Sequence, residues 1–200
     1  SHLYSASAGP DSHLDAGPLN YIPESRSVPI NIAVVDGFSG DPLPAGIELK
    51  SFVDHAAGIQ HGEQVLSVLL SDLSAYGSGH PDRLLVADVA EQFREAVPQA
   101  SVFNLIDALD WVASEGANII NISLTGPPNK VLATIVDDLE DSGVLMIASV
   151  GNSGPATSPG YPAAYSSVVG VTAVTSDGMP YLYAARGDAV ELSARGVGLR

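Results

Sequence analysis

Five short, predominantly apolar runs recur along this chain, and they constrain its fold more than any other feature. They are "INIAVV" (30–35), "LLVADV" (84–89), "IINISL" (119–124), "VLMIASV" (144–150) and "SVVGVTAV" (167–174). Runs with so little polar alternation suit strands covered on both faces, which is the situation in a parallel sheet. Between them lie segments with helical spacing. "HGEQVLSVLLSDLSAYG" (61–77) is apolar around most of its circumference and reads as a central, heavily buried helix. "SVFNLIDALDWVASEG" (101–116) carries Ser101 as N-cap, apolar Val102, Ile106, Leu109 and Val112 on one face, and Gly116 at the C-cap. "KVLATIVDDLEDSG" (130–143) repeats that ending with Gly143. Strands alternating with helices specify an α/β fold around a mainly parallel sheet.

Composition narrows the function classes. The chain has 200 residues, 46% hydrophobic and 16% charged, enough to bury a sizeable core. Residues 1–29, rich in Ser, Pro, Gly and Asp, read as an extended lead-in, and 30–200 as one domain. Asp plus Glu number 23 against 8 Lys plus Arg, a formal charge of −15, which argues against nucleic acid and anionic membranes as partners. No run approaches the ~20 apolar residues of a membrane span. The absence of cysteine removes disulfides, thiolate metal sites and a cysteine nucleophile.

In parallel α/β sheets, functional groups gather at the carboxyl ends of the strands. The first run ends in Asp36, which taken alone caps the turn that follows. The first helix opens with His61-Gly62, and a histidine there is ordinarily a cap or surface residue. The fourth run stops abruptly at "GNSGP", presenting Asn152 between glycines, where a lone asparagine is ordinarily a turn former.

In combination and in this order, these ends resemble the subtilisin-like serine peptidases, the subtilases (peptidase family S8). Val34-Val35-Asp36 matches the apolar-apolar-Asp strand end, and His61-Gly62-Glu63-Gln64-Val65 the His-Gly-x-x-Val helix start. Ser123-Leu124-Thr125-Gly126 matches the substrate-lining Ser-Leu-Gly-Gly, and Gly151-Asn152-Ser153-Gly154 the Gly-Asn-x-Gly oxyanion loop. "YPAAYSSVVGVTAV" and "DAVELSARGVGLR" resemble later family segments, so the likeness runs from about Ile30 to Arg200. It implies a three-layer subtilisin-like fold, C-terminally incomplete, and a hydrolase cleaving peptide bonds.

The resemblance also implies roles. His61 takes a proton from a serine hydroxyl and returns it to the leaving amine, while Asp36 orients the ring and stabilises the imidazolium. The positive end of the helix that begins at His61 opposes that charge, so a carboxylate is needed to offset it, with Glu63 as a second contributor. Asn152 donates an amide N–H to the developing oxyanion. Ser123, Leu124, Thr125 and Gly126 bind substrate. The implied partners are a polypeptide substrate and a pro-domain or further C-terminal segment. No cofactor or metal is expected; scattered acidic residues leave any structural calcium unplaced. A secreted or periplasmic location is expected, although the sequence itself leaves the compartment open.

The chain departs from the family in several places. Glu63 and Gln64 stand where Thr and His are usual, Leu66-Ser67 where Ala-Gly is usual, and Arg195 where proline is usual. Thr125 replaces a glycine, which narrows the substrate cleft. The 200 residues also contain no Gly-Thr-Ser-x-Ala nucleophile motif, and Ser158 in "ATSPG" leads into a proline turn rather than a helix. A chain ending before its serine is therefore expected to be inactive by itself. Two alternatives stand beside this: a non-catalytic module binding extended peptides by strand addition at Ser123–Gly126, and a metal site of Asp54, His55, His61 and Glu63, which lacks supporting ligand geometry.

Overall fold

The computed structural model describes residues 29–54, 60–75, 81–91 and 99–198. All but Pro29 of the expected lead-in lies outside them. Seven parallel strands form the central sheet in the order β2-β3-β1-β6-β7-β8-β9. The strands are β1 (Asn31–Asp36), β2 (Ile47–Ser51), β3 (Arg83–Asp88), β6 (Ile119–Ile122), β7 (Leu145–Ser149), β8 (Val169–Val174) and β9 (Leu192–Arg195). A two-stranded antiparallel ribbon joins β4 (Ala90–Glu91) to β5 (Gln99–Ala100). The helices are α1 (His61–Ala75), α2 (Val102–Ser114) and α3 (Lys130–Asp141).

Period-two alternation along the strands creates the three layers. On β1, Ala33 and Val35 point into the larger core with Leu85, Ile120, Met146 and the inner faces of α2 and α3. Ile32 and Val34 point the other way, joining Leu84, Val86 and the α1 residues Val65 and Leu66. Every residue of β1 is buried, as its apolar run requires. Ser101 caps α2, its hydroxyl accepting from the Asn104 N–H at 3.0 Å, and Asn129 caps α3 in the same way. Gly116 and Gly143 follow the last turns with φ of 82° and 86°.

The first helix departs from expectation. Only Gly62, Val65 and Leu66 are buried among the described side chains of α1, while Leu69, Leu70 and Leu73 are half-buried and Gln64, Ser67, Ser71, Asp72 and Ser74 face outward. One stripe packs over β1 and its neighbours, and the opposite side borders an open cleft against Pro42, Leu43 and Pro44. Its many apolar residues thus widen a one-sided stripe rather than mark a helix enclosed all round. β2 was not expected from sequence. Its "IELKS" is mostly exposed, as suits an edge strand carrying charged residues.

Candidate active site

The carboxyl ends of β1, β3, β6 and β7 lie along one edge of the sheet, because all four strands run parallel. α1 begins at that same edge. Asp36 ends β1 with only 1% of its surface exposed. His61 Nδ1 lies 2.8 Å from Asp36 Oδ1 and 2.9 Å from Oδ2. A carboxylate only accepts, so this contact places the ring proton on Nδ1. The Gly37 N–H also donates to Asp36 Oδ1, at 2.7 Å.

What fixes that pair is the turn after β1. Its next two amides reach carboxylates from two other elements. The Phe38 N–H donates to Asp88 Oδ1 at the end of β3, at 3.1 Å, and the Ser39 N–H to Glu63 Oε1 on the first turn of α1, at 2.8 Å. The Ser39 hydroxyl donates to the same Glu63 oxygen at 2.6 Å. The Gly62 N–H completes the junction, donating to the Gly37 carbonyl at 2.9 Å. A side chain at position 62 has no room there, since a Cβ would lie 2.5 Å from Phe38 Cζ and 2.7 Å from the Gly37 oxygen. Asp36 and His61 are therefore held by short contacts between the β1 turn and the helix start.

Asp88 and Ser39 were not singled out as site residues from sequence, and Glu63 was expected to offset the His61 charge rather than to hold Ser39, although one signal for Asp88 existed: "VAD" at 86–88 repeats the strand ending "VVD" at 34–36, and Asp88 stands opposite Asp36 in register. Burial pushes the Asp88 carboxyl above the ordinary carboxylate range. Hydrogen bonds from the Phe38 amide, the Ser51 hydroxyl (3.0 Å) and the Ala90 amide pull against that rise, and the Glu63 charge adds to it.

Asn152 lies on the exposed loop that leaves β7. Gly151 and Gly154 adopt φ of 98° and 110°, a region that disfavours side chains, which is why glycines flank it. The loop is anchored by the Ala185 N–H donating to the Gly151 carbonyl (3.0 Å) and the Gly154 N–H to the Tyr183 carbonyl (2.9 Å). Ser123 and Leu124 are half-buried and Thr125 and Gly126 exposed, in the segment after β6. Gly126 pairs antiparallel with Tyr161 through both backbone hydrogen bonds.

Two cavities meet at this segment. One of about 500 Å³ lies between Gln99–Ala100 and Leu124–Gly126, with apolar walls from Val102, Leu105 and Leu132. The other, about 300 Å³, lies between Thr125–Gly126 and the Gly151–Ser153 loop, with Gly160 and Ala185 behind. Ser158 borders it from an exposed turn. Among the described residues no three acidic or histidine side chains converge as a metal site; His55 lies outside them.

Comparison with known proteins settles the family. The subtilase family profile matches residues 71–199. The chain belongs to the subtilase family. The matched span of this subtilase covers the Ser123–Gly126 and Asn152 segments and begins downstream of Asp36 and His61. The minor extracellular protease Epr of Bacillus subtilis (strain 168) is 37% identical over 97 residues, 48% of this chain and 15% of that protein. Subtilisin E of the same organism is 34% identical over 100 residues, 48% of this chain and 26% of that protein. The matched stretch thus spans about a quarter or less of either relative. Among solved structures, a psychrophilic subtilisin-like protease from an Antarctic Pseudoalteromonas superposes with TM-score 0.64 at 26% identity, over 84% of this chain and 41% of that one. The prenylagaramide maturation protease PagA gives 0.61 at 26% identity, over 80% and 59%.

Proposed function

We propose that this subtilase supplies the proton relay and the oxyanion donor of a serine endopeptidase centre, with the nucleophilic hydroxyl coming from a serine outside these 200 residues. The observation that carries this reading is the contact of a buried Asp36 carboxylate with Nδ1 of His61. With the ring proton on Nδ1, Nε2 is the basic nitrogen. In the proposed reaction it removes the proton of the attacking hydroxyl as the oxygen bonds to the peptide carbonyl, then delivers it to the amine as the C–N bond breaks. Asp36 stabilises the imidazolium formed between the two steps. The Asn152 side-chain amide donates to the carbonyl oxygen as it becomes negative, an interaction stronger in the transition state than in the bound substrate.

Extended peptide is the proposed substrate. The segment at Leu124–Thr125, just before the Gly126–Tyr161 pair, offers backbone groups for strand addition, and the neighbouring 500 Å³ apolar cavity offers a place for a side chain of that strand. A pro-domain or C-terminal segment remains a proposed partner. The proposed location is outside the cell, on the strength of the extracellular relative; no described helix is long and apolar enough to cross a membrane.

The test uses fluorophosphonate labelling and peptide hydrolysis. The 200-residue chain is expected to show neither, for want of a nucleophile. In a longer chain that carries a Gly-Thr-Ser-x-Ala serine, both are expected. There His61→Ala should lower kcat on the order of 10⁶-fold, the loss measured in subtilisin for its histidine. Asn152→Ala should lower kcat by roughly 10²–10³-fold, the figure from subtilisin's oxyanion asparagine, with KM nearly unchanged. Normal turnover by the His61 variant overturns the relay, and a loss confined to KM makes Asn152 a binding or turn residue.

A further inference from the structure

Away from the relay, Lys50 on the edge strand β2 reaches over two aromatic rings. Its Nζ lies 4.9 Å from the ring centroid of Phe52 and 5.4 Å from that of Trp111. The rings meet tilted, 5.9 Å apart at 53°, and both pack against the larger core, which holds their π faces in place. A cation above such faces is attracted by the ring quadrupole. Beside them lies a cavity of about 400 Å³, lined by Lys50, Phe52, Asp107, Asp110, Trp111 and Ser114. Spacings of three and four residues put the last four on one face of α2.

The charges in this cavity do not balance. No ion pair among the described residues includes Lys50, Asp107 or Asp110, and the two exposed carboxylates accept no hydrogen bond there. The protein's own ammonium thus engages the rings and leaves both carboxylates without a counter-ion. An ammonium is a compact charge on a flexible stem. A guanidinium is flat, stacks on aromatic faces and donates to carboxylates through a fork, so it can engage rings and carboxylates together. We propose that this cavity is a recognition site for an arginine side chain on a basic segment of a partner polypeptide, the guanidinium displacing the Lys50 ammonium from the rings and donating to Asp107 and Asp110. Charge complementarity selects such a partner, because a chain with a net charge of −15 draws basic segments toward it. None of the six residues belongs to the proposed relay, the Asn152 loop or the Ser123–Gly126 segment. The site therefore stands or falls separately from the peptidase reading.

Trp111 is the single tryptophan of the chain, so its indole N–H resonance reports this cavity alone. The experiment titrates the 15N-labelled 200-residue chain with acetyl-Gly-Arg-Gly-amide, with its lysine analogue and with its citrulline analogue, which keeps the shape of arginine without the charge. The arginine peptide should shift the Trp111 indole and the Asp107, Asp110 and Ser114 amides saturably, and more weakly in added salt, while the citrulline peptide leaves them in place. Lys50→Gln, which vacates the rings, should tighten arginine binding by about two- to fivefold, the scale of an exposed cation–π contact. Replacing both carboxylates, Asp107→Asn with Asp110→Asn, should weaken it by roughly three- to tenfold. No shift at Trp111, or an equal one with the citrulline peptide, overturns the site. A lysine peptide that binds as tightly as arginine overturns the assignment to a guanidinium, and a Lys50→Gln variant that binds no tighter overturns the displacement. An indole shift that grows with protein concentration alone assigns the cavity to a second copy of this chain and overturns the foreign partner.

Discussion

Asp36 and Asp88 are neighbours in register at the ends of adjacent strands, yet their surroundings give them different tasks. Asp36 meets the imidazole of His61, whereas Asp88 accepts from an amide, a hydroxyl and a second amide in a buried setting with Glu63 nearby. Because burial raises the folded-state carboxyl of Asp88 above its unfolded value, the folded chain holds that proton more tightly than the unfolded chain does. Its contribution to stability is thus fully present below the ordinary carboxylate range and is lost as pH rises through the raised value. Asp88→Asn keeps an oxygen for the Phe38 amide and removes the titration. The wild type should therefore lose stability relative to this variant as pH rises from the ordinary carboxylate range through the raised value, read as the difference in urea midpoints. A difference that is flat with pH would show that Asp88 ionises as an ordinary carboxylate. Glu48 and Asp177, lowered by hydrogen bonds from Arg83 and Thr175, bias the absolute curve the opposite way, which is why the difference is the quantity to measure.

At the scale of elements, the junction between the β1 turn and α1 carries the site. Glu63 and Gly62 act on it together, one by holding the Ser39 amide and hydroxyl, the other by letting the helix start approach the Gly37 carbonyl. Gly62→Ala puts a methyl 2.7 Å from that carbonyl oxygen and 2.5 Å from Phe38 Cζ, and the buried Phe38 ring leaves little room to yield. Overpacking of this kind costs about 2 kcal/mol, which for a chain of this length is a drop of roughly 4–8 °C in Tm. The change should also alter the Nδ1–H resonance of His61, since α1 must retreat from Asp36. An unchanged Tm and an unchanged imidazole signal would mean that the junction is looser than its distances indicate.

Over the whole molecule, the two faces of the sheet are unequally covered. Register places Ile119, Leu145, Val171 and Leu192 on the face that carries α1, yet Leu145 and Leu192 remain 46% and 38% exposed beyond the part α1 covers. Met179, Leu182 and Tyr183 add further exposed apolar surface after β8. Apolar area left in water carries a cost of about 25 cal/mol per Å² and favours association, while a net charge of −15 opposes it. The 200-residue chain is therefore expected to self-associate with rising concentration, and more so in added salt, which screens the repulsion. Sedimentation of Leu145→Lys/Leu192→Lys against the wild type checks this, with the variant shifted toward monomer. A wild type that stays at 20.5 kDa at all concentrations and salt levels would contradict it.

The sequence by itself determined the layered class, the strands at β1, β3, β6, β7 and β8, and the three helices with the Ser101 cap and the glycines at 116 and 143. These are local properties: apolar runs, a 3.6-residue period and capping chemistry act within a few residues of one another. It also singled out Asp36, His61 and Asn152, because each stands at an element end. Tertiary structure alone decided that Asp36 meets Nδ1, that Glu63 binds Ser39 across 24 positions and Asp88 binds Phe38 across 50. It also decided that α1 buries one stripe, and that Thr125 lies between Gly151 and Gly160. Those contacts depend on strand register and helix placement, which bring together residues whose separation along the chain carries no local signal.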